Sequence, residues 1–179
     1  IKEAAKRALD AGDVHYTSNY GTPELRAAIA EKLKRENGLT YDPDAEIIVT
    51  VGAAEAVFDA FLAFLNSGDE VLCPEPSWLN YAAAARLAGA IPVPIPLWES
   101  NGYQIDLDEA RRRITSRTRL LIIASPHNPT GAVQSPDTLR DLSDLAVHRN
   151  LLVISDEIYE RIIYDDLPHV SLAHLPGMR

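Results

Sequence analysis

The chain has 179 residues, enough for one domain or for one domain and a piece of another. It is 46% hydrophobic and 24% charged, which excludes a disordered or collagen-like chain. Its 17 basic against 26 acidic residues leave a net charge of −9, which argues against nucleic acid or an anionic membrane as the main partner.

Cys73 is the single cysteine, so neither an internal disulfide nor a multi-cysteine metal site is available. No run approaches the roughly 18 apolar residues of a membrane helix, and no cationic-then-apolar segment marks a secretory signal. A reducing, cytoplasmic setting is therefore expected. The only methionine is Met178 and Ile1 falls inside a helix-like run, so the sequence reads as a piece of something longer. Its lysines are Lys2, Lys6, Lys32 and Lys34, with none beyond.

In chain order, residues 2–11 favour helix, with Gly12 as a stop. Thr22 is a candidate N-cap and Pro23 suits the first helical position of a segment whose Leu25, Ile29 and Leu33 share one face. Asn37-Gly38 closes it. The β-branched run Ile47–Val51 predicts a buried strand, and Gly52 turns the chain into a helix over 53–65 with a stripe of Val57, Phe58, Phe61, Leu62 and Leu65. Ser67-Gly68-Asp69 breaks that helix ahead of a strand over 70–73. Residues 77–87 read as helix and 91–95 as strand, the latter an edge or irregular one because of Pro92 and Pro94. Asp106 with Glu109 is a capping-box signal for a short helix to Ile114. Arg119–Ala124 reads as a buried strand, Ser135-Pro136 opens a helix to about His148, and Leu151–Ser155 is an all-apolar strand. This alternation predicts βαβ crossovers: a three-layer α/β/α domain with a mostly parallel sheet covered on both faces.

In such a sheet ligands sit beyond the carboxyl ends of the strands. Three strand exits stand out. Gly52-Ala53-Ala54 opens a helix with small residues whose free amides and dipole could seat a phosphate, although a tight strand-to-helix turn uses the same residues. Ser125-Pro126-His127-Asn128-Pro129-Thr130-Gly131 is a stiff loop that would hold the Asn128 amide in place, or simply a structural turn. Asp156 ends an apolar strand, where a partly buried carboxylate needs a cationic or donating partner; it could also be an N-cap. Tyr159 follows at a spacing that reaches the same pocket if the segment turns helically. Together these describe a site for a flat, phosphorylated, protonatable heterocycle, with Trp78 as a stacking face. Arg111-Arg112-Arg113 reads as a solvated helix end. His15, His148, His169 and His174 show no metal-ligand spacing, so no metal is expected. Glu157 reads as a surface or supporting residue, and Cys73 as a buried strand residue.

Five segments, YTSNYGTPELR, VTVGAAEAV, CPEPSWLNY, SPHNPTG and SDEIYE, resemble in wording and order the class I/II aminotransferases of fold type I, which use pyridoxal 5′-phosphate. The resemblance covers essentially the whole chain. It implies the large cofactor-binding domain of the aspartate aminotransferase-like fold, truncated at the C-terminus, with the small domain absent. Asp156 then matches the aspartate that pairs with the pyridine nitrogen, and Tyr159 and Asn128 the groups that bind O3′. Trp78 matches the stacking aromatic, and Gly52, Ala53 and Ala54 the phosphate seat. Tyr16 matches the tyrosine reaching the phosphate of a neighbouring subunit, which implies a homodimer.

Two departures follow. Ala54 stands where many relatives carry a hydroxyl or lysine, so backbone must do more there. The family's Schiff-base lysine lies beyond DEIY, and no lysine occurs between Tyr159 and Arg179. The resemblance thus implies transfer of an amino group from an amino acid to a 2-oxo acid by the parent protein. The 179 residues alone are expected to be inactive and to bind cofactor weakly. A β-lyase or synthase of the same family, or an aminotransferase-like sensor domain of a transcription regulator, would keep the same residues.

Overall fold

The computed structural model describes residues 1–179, which form two units, Ile1–Thr50 and Val51–Arg179. The first contains helices α1 (Lys2–Asp10) and α2 (Pro23–Lys32). As expected, Thr22 Oγ1 accepts from Leu25 N–H at 3.3 Å and Pro23 takes the first helical position. One wider π-type turn, Leu33–Asn37, continues α2 until Gly38 reverses the chain at φ 67°. The expected apolar face of α2 is not its buried one: Leu25 is exposed, and Arg26 is the residue of α2 that is buried. Arg26 Nη1 donates to Pro43 O at 2.6 Å and pairs with Asp44 at 3.2 Å.

The expected strand at Ile47–Val51 does not form. A strand exists only through a ladder, and no ladder forms along this segment, although Val49 N–H donates to Tyr20 O at 3.0 Å. Nor is the segment buried throughout, since Ile48 is 64% and Val51 87% exposed. Its approach to Tyr20 explains Gly21. At φ 92° that residue lies in the left-handed region, and a Cβ on it would meet Val49 Cγ2 at 2.5 Å.

In the second unit, strands β1 (Glu70–Glu75), β2 (Ile91–Pro96), β3 (Thr118–Ala124) and β4 (Leu152–Asp156) pair in the order β2-β1-β3-β4, every pair parallel. Helices α3 (Gly52–Phe64), α4 (Asn80–Leu87), α5 (Leu107–Arg113) and α6 (Pro136–Arg149) cover it. Side chains alternate across the pleat. Leu72, Leu121 and Ile123 join Ala110 of α5 and Leu139, Leu142 and Ala146 of α6 in one core. Val71, Cys73, Leu120 and Ile122 join Val57 and Phe61 of α3 and Tyr81 and Ala85 of α4 in the other. The expected three layers are present.

The prolines of β2 have a positional meaning. Ile91 N–H and Leu97 N–H donate to Asp69 O and Glu75 O, so the odd-numbered residues face β1. Pro92, Pro94 and Pro96 therefore lie on the outer border, where no donor is required. At the other border β4 is only half covered: Leu152 is exposed, and no fifth strand lies beyond it. Helix α4 begins at Asn80, three residues after the predicted start, because Ser77-Trp78-Leu79 forms the turn out of β1. Asp106 caps α5 by accepting from Asp108 N–H and Glu109 N–H, while Glu109 pairs with Arg112 and Arg113 instead of returning to the cap.

At the amino end of the sheet Glu70 is buried and accepts from Thr115 Oγ1 (2.6 Å), Thr118 Oγ1 (3.1 Å) and Arg117 Nη2 (2.6 Å). The Thr115 hydroxyl foremost, with Arg117 and Thr118, holds its carboxyl below the usual carboxylate range against the opposing effect of burial.

Candidate active site

The strand order fixes where a ligand can enter. The chain leaves β1 for β2 on one side and β3 for β4 on the other, so the crossovers diverge at β1/β3 and open a crevice at their carboxyl ends. A cavity of about 240 Å³ lies there, lined by Gly52, Ala53 and Ala54 of α3, Trp78 and Tyr81 after β1, Asn128 after β3, and Asp156 and Tyr159 after β4. Seven of the eight residues singled out from the sequence thus line one hollow. Tyr16 belongs to the Ile1–Thr50 unit and is fully exposed. A larger hollow of about 380 Å³ beside β2, lined by Pro74, Pro92, Pro94 and Arg86 among others, holds none of them.

Asp156 is half-buried and its two oxygens are held separately. Oδ1 accepts from Ile158 N–H at 3.2 Å and Oδ2 from the Tyr81 hydroxyl at 2.5 Å. No arginine, lysine or histidine pairs with it, so the pocket holds a carboxylate without a counter-ion, and a cationic ring nitrogen suits that vacancy of charge.

On the pocket wall Gly52 adopts φ 79° as it opens α3. Val51 supplies no side-chain cap; Glu55 folds back onto Val51 N–H. The amides of Ala53 and Ala54 are the open donors of a helix start, at the positive end of the dipole. Anion chemistry suits them.

The loop after β3 is closed on itself. His127 N–H donates to Ala132 O (2.8 Å), Gly131 N–H to His127 O (2.7 Å), and Gln134 N–H to Ser125 Oγ (3.1 Å). Its base is tied to β4 by Ser125 N–H on Asp156 O at 3.2 Å. Asn128 and Tyr159 have no side-chain hydrogen bond within the chain, which leaves an amide and a phenol in the pocket as donors for a ligand oxygen. His127 is buried, its Nδ1 at 2.8 Å from Thr130 Oγ1, and burial lowers its proton affinity.

Sequence reasoning missed two residues. Tyr81 joins Asp156 across 75 positions, and its one local signal is the i+3 spacing from Trp78, whose ring it meets edge-on at 5.3 Å and 83°. Gln134 is buried and holds Ile105 N–H and Tyr103 O, both at 3.0 Å, fixing where the Asn128 loop enters α6.

Glu157 is not among the residues that line this pocket and belongs to a network of its own. Its Oε1 accepts from Ser155 Oγ, Ser171 Oγ and Leu172 N–H, and its Oε2 from His169 Nε2 at 3.1 Å. Glu157, Glu160 and His169 bring potential metal-ligand atoms within 4.8 Å, a grouping that histidine spacing alone did not reveal. His169 Nδ1 is buried with no partner among the protein's own atoms. The group acts as a staple for the 157–172 segment. Arg111, Arg112 and Arg113 pair with Asp108 and Glu109 on their own helix, as expected of a solvated end.

A doubly wound parallel sheet with a helix start and a carboxylate without a counter-ion lining one hollow at its switch point defines an α/β domain with a candidate ligand site. The chain belongs to the family described as aminotransferase class I and II, whose model matches residues 1–177. It is similar to the aspartate aminotransferase of Pyrococcus abyssi, 51% identical over 178 residues, covering 99% of this chain and 46% of that protein. It is also similar to aromatic-amino-acid aminotransferase 2 of Thermococcus litoralis, 44% identical over 178 residues, again 99% and 46%. Among solved structures, the aromatic aminotransferase of Pyrococcus horikoshii OT3 superposes with a TM-score of 0.97 at 50% identity, over 99% of this chain and 47% of that one. The chain spans about half the length of the relatives it matches.

Proposed function

We propose that the whole protein transfers an amino group from an amino acid to a 2-oxo acid with pyridoxal 5′-phosphate as cofactor. The observation that carries this reading is the carboxylate of Asp156, without a counter-ion, in the same cavity as the open amides of α3. The names of the relatives favour amino-group transfer over a lyase or a regulator, and they point to an acidic or aromatic amino donor.

In this reading the residues divide the cofactor among them. Asp156 binds the pyridine nitrogen and favours its protonated form. Asn128 and Tyr159 donate to O3′ and fix the ring's rotation, Trp78 covers one ring face, and the amides of Ala53 and Ala54 with Gly52 hold the phosphate. The bound group supplies an electron sink for loss of the substrate's Cα proton. Tyr16 reaches the phosphate of a second subunit in a homodimer, and residues 1–179 constitute most of the large cofactor-binding domain. The lysine that holds the cofactor and moves the proton, and the small domain, belong to the remainder of the parent. The site of action is the cytoplasm. No helix is long and apolar enough to cross a membrane.

The test is pyridoxal phosphate binding to the intact protein, followed by amino transfer from L-aspartate or L-tyrosine to a 2-oxo acid. Asp156→Ala should abolish transfer and weaken cofactor binding at least tenfold. A wild-type protein that takes up no pyridoxal phosphate, or whose affinity is indifferent to Asp156→Ala, would overturn the proposal.

A further inference from the structure

We propose that Tyr81 is a positioning residue that keeps the proton shared between Asp156 and the cofactor on the ring nitrogen, by holding one carboxylate oxygen as a permanent donor. The inference rests on the reading of this pocket as a pyridoxal phosphate site and assigns a role to a residue that does not itself need to touch the reacting atoms.

Tyr81 is 2% exposed and stands in α4, in the core shared with Val57, Phe61, Ala85 and Leu120. Its hydroxyl is aimed at Asp156 Oδ2 at 2.5 Å, the short end of the range for a hydroxyl on a carboxylate. With Oδ1 on Ile158 N–H, the carboxylate has one protein donor on each oxygen and can neither rotate nor move without breaking one of them. A ring nitrogen facing an aspartate has two proton arrangements, N–H⁺ with a carboxylate or N with a carboxylic acid, and the relative basicity of the two groups decides between them. A donor on each oxygen favours the arrangement in which the carboxylate is the anion. Tyr81 therefore moves the balance toward the protonated ring, the form in which the cofactor withdraws electrons.

The donor is also locked in its own protonation state. Burial first, then the hydrogen bond and negative charge of Asp156, with Cys73 and Tyr159 adding to them, push the Tyr81 phenol well above the ordinary tyrosine range. At neutral pH it is a donor. The same ring meets Trp78 edge-on, so one side chain spaces both the carboxylate and the indole. A tyrosine present only for packing would need neither the hydroxyl nor its aim.

Tyr81→Phe in the intact protein removes the hydroxyl while keeping the ring and its Trp78 contact. With pyridoxal phosphate labelled with ¹⁵N at the ring, the wild-type nitrogen should resonate at the protonated position and the variant's should move toward the unprotonated one. A nitrogen already unprotonated in the wild type would overturn the proposal. So would a Tyr81→Phe protein with a lowered melting temperature but an unchanged nitrogen resonance, which would assign Tyr81 to packing alone. If the wild type binds no cofactor, the reading of the pocket itself falls; if it binds and Tyr81→Phe leaves the resonance unchanged, only the assignment of Tyr81 falls.

Discussion

Replacing Gln134 by leucine in the intact protein isolates what a single buried amide contributes to the loop that carries Asn128. Leucine fills a similar volume, so the change is mainly polar. It leaves the N–H of the buried Ile105 without its acceptor, and Tyr103 O without its donor. A buried backbone group deprived of its partner costs about 1–3 kcal/mol, and with one of the two groups only half-buried the total is about 3 kcal/mol. Urea denaturation followed by circular dichroism should show this as a lower midpoint at unchanged slope; with a slope of about 2 kcal/mol per molar, the displacement is about 1.5 M. Hydrogen exchange should also quicken at His127 and Gly131, whose amides close the loop. A midpoint within about 0.3 M of wild type, at the same slope, would refute the assignment of Gln134 as the loop's anchor.

Gly21→Ala forces a Cβ against Val49 in a left-handed backbone, and calorimetry should show about 2 kcal/mol of destabilisation, part of it recovered when Val49→Ala is added. Glu70 has its folded proton affinity depressed, so its stabilisation is complete above its unfolded value and disappears as the pH falls through the folded one; Glu70→Gln should cost about 1–2 kcal/mol at neutral pH and flatten the acid limb of stability against pH, and an acid limb unchanged by the substitution would exclude the mechanism. Glu157→Ala removes the common acceptor of Ser155, Ser171, Leu172 N–H and His169, and exchange at the Leu172 amide should accelerate about tenfold while Asp156 keeps its two donors; unaltered protection there would count against the staple.

Much of the second unit was legible because its signals are local. Apolar runs at 70–73 and 119–124 become the two central strands, Ser135-Pro136 and Asp106 cap their helices, and glycine, asparagine and aspartate at strand exits meet in one cavity. Illegible were properties that depend on a distant partner. Ile47–Val51 has strand composition, but composition supplies no ladder, and β4 is apolar yet has a neighbour on one side only. Tyr81 and Gln134 are ordinary helix and loop residues in the sequence; their roles arise from contacts 75 and 29 residues away. The Glu157–His169 contact spans 12 residues of irregular chain and has no periodicity to reveal it.

The two borders of the sheet are chemically unequal, and that gives its assembly a direction. Along β2 the outward positions are Pro92, Pro94 and Pro96, a row with carbonyls but no donors, so a further strand finds no complete ladder to join. Along β4 the outward amides of Leu152–Asp156 are intact. The sheet can be extended on one flank only, and whatever extends it, a later stretch of the same polypeptide or a second copy, arrives beside the aspartate that ends β4.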